Sequence, residues 1–389
     1  MHNRWGILAL LFTVRLTMAF QFQTVAAIAP LLKTQFGVGI ADIGFLIGLY
    51  FTPGVVLALP GGAVGKWLGD KRATLVALAL MLAGSLAMAS GDHWGWQVAG
   101  RLIGGAGGVL LNVQLTKMAT DWFAGREIAT AMAVFVNSWP AGIALSLLIL
   151  PSIGTSYGVH AVHLFIVAQA AIGIALILLY RPPPNEITTA ASSARLDLGT
   201  ILAVLVAGVI WGMFNVGFAM TFSFGPTLLV ERGWSIAQAG SAISIGLWLV
   251  VISIPFGGFV ADRLKRPQAV LVLGALMLAV LMLCFAHTGA VILSMIAMGL
   301  VGGQPAGPMM SLPARVLSPA TRTIGMGLFY TVYYATMMIG PIIGGAAAKW
   351  QGSAAAAFDF GAIVVIACPL LLLLFNAMAA PRVKLAATA

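Results

Sequence analysis

Arg15 poses the first chemical question in this sequence. It is the one formal charge in GILALLFTVRLTMAFQFQTVAAIAPLL, residues 6–32. A run of that length can cross a hydrocarbon core, which needs about 20 apolar residues. A guanidinium inside it costs about 2.5–3.5 kcal/mol on insertion scales and usually faces a polar cavity rather than lipid. The chemistry on offer is charge-assisted hydrogen bonding to an anion, with planar, paired donors. Snorkelling is the competing use, because Arg15 lies only about two or three turns from one end of the run. Gln21, Gln23 and Thr24 follow in the same run and add neutral donors and acceptors near its middle.

The acidic residues inform by their positions. All ten, Asp42, Asp70, Asp92, Asp121, Glu127, Glu186, Asp197, Glu231, Asp262 and Asp359, fall between apolar runs or close to a run's end. His2, His93, His160, His163 and His287 also lie near ends. Proton relays in membrane proteins are typically Asp, Glu or His inside the bundle. An organic cation would also seek a carboxylate there, whereas an anion would meet Arg15. Catalysis at depth would need a nucleophile with its base, or converging metal ligands. No such cluster is visible, so the chain does not read as an enzyme and no cofactor or metal is expected. Cys284 and Cys368 sit in apolar runs and read as packing residues.

The elements that must position these groups follow from composition. With 389 residues, 61% hydrophobic and 8% charged, the chain is an integral membrane protein, and its unbroken apolar runs exclude the alternation of a barrel strand. Helices are the remaining spanning structure. The formal net charge of +10 does not call for nucleic acid, since the cations cluster in short loops. Twelve apolar segments are expected, at 6–32, 42–65, 73–90, 96–119, 128–150, 160–180, 198–226, 238–260, 269–288, 290–311, 324–347 and 355–378. RPPPNEITTAASSARLD, Arg181 to Asp197, cannot continue a helix and reads as a linker. The expected organisation is a six-helix bundle over 1–180, a cytoplasmic linker over 181–197, a second bundle over 198–378 and a tail over 379–389. The first run is longer than a signal-peptide core and reads as a retained helix.

Orientation follows from Lys and Arg. With the N-terminus cytoplasmic, fifteen of them fall on that side and only Lys33, Arg232 and Lys349 on the other. Both termini and the linker are therefore expected inside a cell membrane. The halves also repeat. PGGAVGKWLGDKR, Pro60 to Arg72, and PFGGFVADRLKR, Pro255 to Arg266, align at a shift of 196 residues through Gly61, Gly62 and Leu68 against Gly257, Gly258 and Leu264. Duplication explains this.

Those two stretches resemble the signature of the major facilitator superfamily, Gly-x-x-x-Asp-Arg-x-Gly-Arg-Arg, which joins helices two and three and returns between eight and nine. The second copy keeps Gly258, Asp262 and Arg263; the first keeps Gly62, Gly69, Lys71 and Arg72 but has Lys66 at the usual aspartate. Arg101-Leu-Ile-Gly104-Gly105-Ala-Gly107-Gly108 is similar to the superfamily's fourth-helix motif, and Trp122-Phe-Ala-Gly-Arg126-Glu127 to its loop between helices four and five. Gly340-Pro341-Ile-Ile-Gly344-Gly345 is similar to a Gly-Pro motif of some exporters, where it usually sits on helix five. Within the superfamily the chain resembles the cyanate/nitroimidazole-type and nitrate/nitrite-type anion porters, through Val14-Arg15-Leu16 ahead of Pro-Leu-Leu and through Asn215-Val-Gly217.

The resemblance implies an all-α fold of twelve membrane helices in two pseudo-symmetric bundles, with helices one, four, seven and ten lining a central cavity. Polar residues near their midpoints become candidates for substrate binding: Arg15, Gln21, Gln23, Asn112, Trp211, Asn215 and Gln304. Asn137 and Tyr333, related by the shift of 196, would sit beside the cavity with Tyr330 and Tyr334. It implies gating or conformational roles for Gly62, Lys66, Gly69, Lys71, Arg72, Arg101, Gly258, Asp262 and Arg263. Against these stand ordinary roles: amides often bridge membrane helices for about 0.6 kcal/mol, and Arg101, near Trp94 and Trp96, could anchor at the interface. The expectation is a monomeric transporter in the bilayer that moves a small anion by alternating access, with any proton carried by the solute. The alternative is a proton-coupled drug exporter using Asp42 or Asp359 with Arg101.

Overall fold

The computed structural model describes residues 3–58, 61–123, 127–182, 196–318 and 321–387, and every regular element among them is helical. The first half comprises α1 (Arg4–Ala27), α2 (Ala29–Phe36), α3 (Ile40–Leu49), α4 (Thr52–Leu57), α5 (Gly61–Leu68), α6 (Asp70–Ala89), α7 (Trp94–Phe123), α8 (Ile128–Val136) and α9 (Ser138–Leu179). The second comprises α10 (Leu198–Glu231), α11 (Ile236–Leu264), α12 (Pro267–His287), α13 (Val291–Gly302), α14 (Ala306–Met310), a 3-10 turn over Leu312–Arg315, α15 (Arg322–Gln351) and α16 (Ala355–Ala387). Most of the expected linker, residues 183–195, lies outside the described residues, as does Arg126.

Eleven stretches among the described residues are long and apolar enough to span a membrane. One of them, Thr130–Leu179, holds two crossings, because Gly158 interrupts α9 at φ 83°, ψ 172°. A left-handed φ is cheap only for glycine, and it divides the two runs expected at 128–150 and 160–180. Twelve crossings result. Four are not single helices as the apolar runs suggested, and in each a proline stands at or just beyond the break. Pro30 follows the α1–α2 break, Pro53 the α3–α4 break and Pro140 the α8–α9 break, and Pro305 ends the α13–α14 break. Proline removes one donor from the helical ladder and crowds the turn before it.

The duplication is visible in the backbone. Gly69 joins α5 to α6 at φ 78°, and Lys265, 196 positions later, joins α11 to α12 at φ 51°. Both halves turn through a positive φ at the same place but in different conformations: ψ is 146° at Gly69 and 30° at Lys265, the second being left-handed helical at a non-glycine residue.

The halves pack together unevenly. α3 lies along α15, α9 along α11, and α1 touches α10. Gly44 and Gly48 bring α3 onto α15 so closely that added Cβ atoms would stand 2.4 Å from the Pro341 carbonyl and 2.2 Å from that of Met338. Gly240 similarly seats α11 on the Leu147 carbonyl of α9, and Ser244 Oγ donates to the Ala144 carbonyl at 3.1 Å. All of these lie toward the end of the bundle away from the chain termini, here the far end. One apolar core runs through both halves there. At the near end the first half keeps a separate core of its own, including Leu11, Leu115, Phe135 and Ile177. The molecule is thus closed at the far end, while its halves are independently packed at the near end.

Candidate functional site

Arg15 sits on α1, partly buried, opposite the break in span five. Pro140 cannot donate to the Val136 carbonyl, which leaves that oxygen free. Arg15 Nη1 donates to it at 3.1 Å, to the Phe135 carbonyl at 3.1 Å and to Ser138 Oγ at 3.2 Å. The guanidinium also lies 4.8 Å from the Phe135 ring centre, a cation–π contact. Its other edge meets an amide: Nε and Nη2 donate to Asn112 Oδ1 at 3.2 and 3.1 Å. Asn112 Nδ2 in turn donates to the Tyr334 hydroxyl at 3.3 Å, and so links α7 of one half to α15 of the other. Among the described residues no carboxylate pairs with Arg15.

The tyrosines form a connected group on α15. Tyr333 and Tyr334 rings are 5.1 Å apart, and Tyr330 and Tyr333 6.2 Å. Tyr334 reaches Phe51 across the halves at 6.2 Å, and Tyr333 reaches Trp211 at 6.3 Å. Gly54 makes room for this, since a Cβ there would fall 2.3 Å from the Tyr334 ring.

The remaining expected residues divide. Gln23 Nε2 donates to the Phe222 carbonyl of α10 at 2.7 Å, and Asn137 Nδ2 to the Val251 carbonyl of α11 at 3.1 Å. Both are contacts between halves, and each leaves a buried amide oxygen without a partner. Gln21 turns into the first half, donating to the Met81 carbonyl at 2.7 Å and Ser85 Oγ at 2.8 Å. Asn215 Nδ2 returns to the Trp211 carbonyl at 2.7 Å, and Gln304 Nε2 to the Leu300 carbonyl at 2.9 Å. These three amides are engaged in holding helices rather than grouped with Arg15.

Arg101 is not an interfacial anchor. It is 1% exposed, and it donates to the carbonyls of Leu46 (3.0 Å), Gln21 (2.7 Å) and Phe22 (2.6 Å). The Tyr50 ring centre lies 4.6 Å from the guanidinium carbon. One cation thereby ties α7 to α1 and α3. The glycines of the same motif bring α7 close to its neighbours: Cβ atoms on Gly105 and Gly107 would stand 2.3 Å from the Tyr50 carbonyl and 2.5 Å from that of Ala77.

At the near end, Lys71 Nζ donates to the Leu178 and Tyr180 carbonyls at 2.7 and 3.0 Å, closing the last turn of α9. The side chains of Gly62 and Lys66 positions on α5 fall outside the described part. Arg72 makes no ion pair among the described residues. Gly258 has open space around it, and Asp262 and Arg263 are exposed. An ion cluster escaped the sequence reading: Lys117 lies 2.5 Å from Asp70 and 2.9 Å from Asp121. Lys117 and Asp121 are four residues apart on one helix, a spacing that signals a pair; Asp70 joins only through the fold. The acids of the exporter reading have local work. Asp42 caps α3 through the Gly39 N–H at 2.8 Å, and Asp359 lies 2.6 Å from His287 Nε2.

Two break-prone crossings around a cationic centre, in a duplicated twelve-crossing bundle, define a membrane transporter fold. The family model described as Major Facilitator Superfamily matches residues 11–235 and 200–389. The chain belongs to that superfamily and is a multi-pass membrane protein. It is 26% identical over 247 residues to an uncharacterized MFS-type transporter of Mycobacterium tuberculosis, covering 62% of this chain and 55% of the relative. It is 29% identical over 183 residues to the inner membrane transport protein YajR of Escherichia coli, covering 46% and 38%. The match thus spans only about half the length of the first relative or less. Among solved structures, a D-xylose-proton symporter superposes with a TM-score of 0.75 at 14% identity, covering 94% of this chain and 97% of the other. A POT peptide transporter gives 0.73 at 15% identity, covering 96% and 95%. At such identities the likeness is one of fold.

Proposed function

We propose that this protein is a secondary transporter for a small anion, with Arg15 as the binding charge and alternating access as the mechanism. The observation that carries the proposal is the Arg15–Asn112–Tyr334 chain: a cation without a carboxylate partner, hydrogen-bonded to an amide that bridges the two halves. An anion that takes the Nε and Nη2 edge of Arg15 replaces Asn112 Oδ1 there, exchanging a neutral acceptor for a charged one. Asn112 is then free to turn its NH2 group to the anion, and the bond to Tyr334 is lost. Occupancy is coupled in this way to the contact between halves. The phenols of Tyr330, Tyr333 and Tyr334 supply further neutral donors around the charge. With the far end closed, the solute enters or leaves at the near end. The cation distribution puts that end in the cytoplasm, so the conformation is inward-facing.

The test is flux in proteoliposomes of the full-length protein, wild type beside Arg15→Ala and Arg15→Lys, against small anions and lipophilic cations. Anion flux falls by at least about tenfold in Arg15→Ala, the loss of one charge-assisted contact, and is partly kept in Arg15→Lys. Since Arg15 also satisfies the span-five carbonyls, thermal stabilisation by the transported anion is read in parallel. Drug or cation flux driven by a pH gradient and indifferent to both substitutions overturns the proposal.

A further inference from the structure

A cavity of about 530 Å3 opens at the near end of the second half, between the α11–α12 turn and the end of span ten. Lys265, Arg266, Gln268, Ser311 and Arg315 supply its polar lining, and among the described residues no acidic one contributes. Among the described residues none of the three cations is ion-paired. Arg315 is nonetheless held in place. Its Nη1 donates to Asn376 Oδ1 at 3.0 Å, and its guanidinium carbon is 5.3 Å from the Phe375 ring centre. Asn376 is itself braced by a reciprocal amide pair with Gln268, at 3.0 and 3.2 Å.

The pseudo-symmetric region of the first half identifies what is missing. At the shift of 196, Gly69 corresponds to Lys265 and Asp70 to Arg266. In the first half Asp70 and Asp121 flank Lys117, so acids of the chain itself pair with a cation there. In the second half the acid has become an arginine. Asp262, one turn before Arg266, is exposed and unpaired among the described residues. The three exposed cations are therefore left available to a negative charge from outside the chain. The helices flanking the cavity present exposed apolar side chains, Phe256, Phe259 and Leu264 on α11 and Leu273 on α12. A soluble anion has no use for such a surface, whereas acyl chains do.

We propose that this cavity binds the phosphate of an anionic phospholipid headgroup, with Lys265, Arg266 and Arg315 as its cationic ligands and the acyl chains lying along α11 and α12. Three donor-bearing cations around one opening suit a phosphodiester, and basic pockets between membrane helices on the cytoplasmic side are the usual setting for such headgroups. The site is separate from Arg15 and does not depend on which solute is moved.

The experiment is native mass spectrometry of the full-length protein released from detergent, titrated with phosphatidylglycerol, phosphatidylcholine or inorganic phosphate. Wild type retains phosphatidylglycerol over phosphatidylcholine. Arg315→Gln weakens that retention about fivefold, the contribution of one cation at a membrane surface. Arg266→Asp, which restores the charge found at the corresponding position of the first half, weakens it by more, while Arg266→Lys leaves it nearly unchanged. Arg315→Gln alters an exposed side chain, so it gives a reading even where the charge reversal fails to fold. Equal retention of both lipids, or retention of phosphatidylglycerol that none of the substitutions alters, overturns the site. Binding of inorganic phosphate without preference for phosphatidylglycerol overturns the lipid as its source.

Discussion

At the shift of 196 residues that relates the halves, Arg15 answers to Trp211, Asn137 to Tyr333 and Asp70 to Arg266. Both halves turn through a positive φ at Gly69 and Lys265, but the helix is broken at Asn137 and continuous through Tyr333, and the side-chain chemistry does not repeat. The first half carries both arginines that reach into the bundle; the second presents rings, Trp211, Tyr330, Tyr333 and Tyr334, at the facing positions. A duplicated scaffold thus gives one half a charge and the other a neutral wall against it. At the near end the halves differ again: the first pairs Lys117 with Asp70 and Asp121, whereas the second leaves Lys265, Arg266 and Arg315 without an ion pair among the described residues.

The two arginines of the first half sharpen this contrast, because they are satisfied differently. Arg101 spends its donors on three backbone carbonyls of its own half. Arg15 spends part of its own on a side-chain amide that can move. Arg101 is therefore a fastener, and its loss is the largest effect expected on stability. Arg101→Ala removes three charge-assisted hydrogen bonds to helix carbonyls and empties a buried volume, which lowers stability by about 3–5 kcal/mol. Thermal unfolding in detergent measures this. A cost below about 1 kcal/mol would mean that the carbonyls find other donors and that the fastener reading is wrong.

The next effect concerns the seam between halves. Gly48→Leu places side-chain atoms where the Met338 carbonyl already stands, and overpacking of this kind costs about 1–3 kcal/mol. The strain falls on the α3–α15 contact, so the far end should open. Spin labels at Thr34 and Trp350, on the far ends of the two halves, would report a longer distance. Gly258→Ala is the control, since nothing lies within 4 Å of its added Cβ; an unchanged distance in both variants would show that the far end is not held by that seam. A smaller effect is expected from Asp70→Asn, which leaves Lys117 with Asp121 alone. The pair is partly exposed, so the cost is about 0.2–1 kcal/mol and shrinks as salt is added.

The sequence made the crossings and their pairing into halves legible and singled out Arg15 as a candidate, because apolar run length and an isolated charge are local signals. The breaks in spans one, two, five and ten were foreshadowed by Pro30, Pro53, Pro140 and Pro305, but an apolar count does not register a missing N–H. Side-chain direction was the harder quantity. Gln21 and Gln23 are two residues apart on α1, yet one turns into its own half and the other crosses to α10. No periodicity of a helix that is apolar all round distinguishes those faces. The two roles open to Arg101 could not be separated for a related reason: its sequence distance from Trp94 and Trp96 gives depth along the helix, not whether α1 and α3 cover it.

Asn215 gives the finest test of the division between a charged half and a neutral one. Its amide is committed to the Trp211 carbonyl, one turn back on the same helix, and an internal bond of that kind is easily replaced by a well-packed apolar side chain. Asn215→Leu should change stability by less than about 0.5 kcal/mol and leave anion flux within about twofold of wild type, measured in the same proteoliposomes as the Arg15 variants. Flux that collapses while stability holds would require Asn215 to leave Trp211 and face Arg15 at another stage of the cycle. The second half would then contribute an amide as well as rings, and the wall opposite the charge would be an active participant in binding.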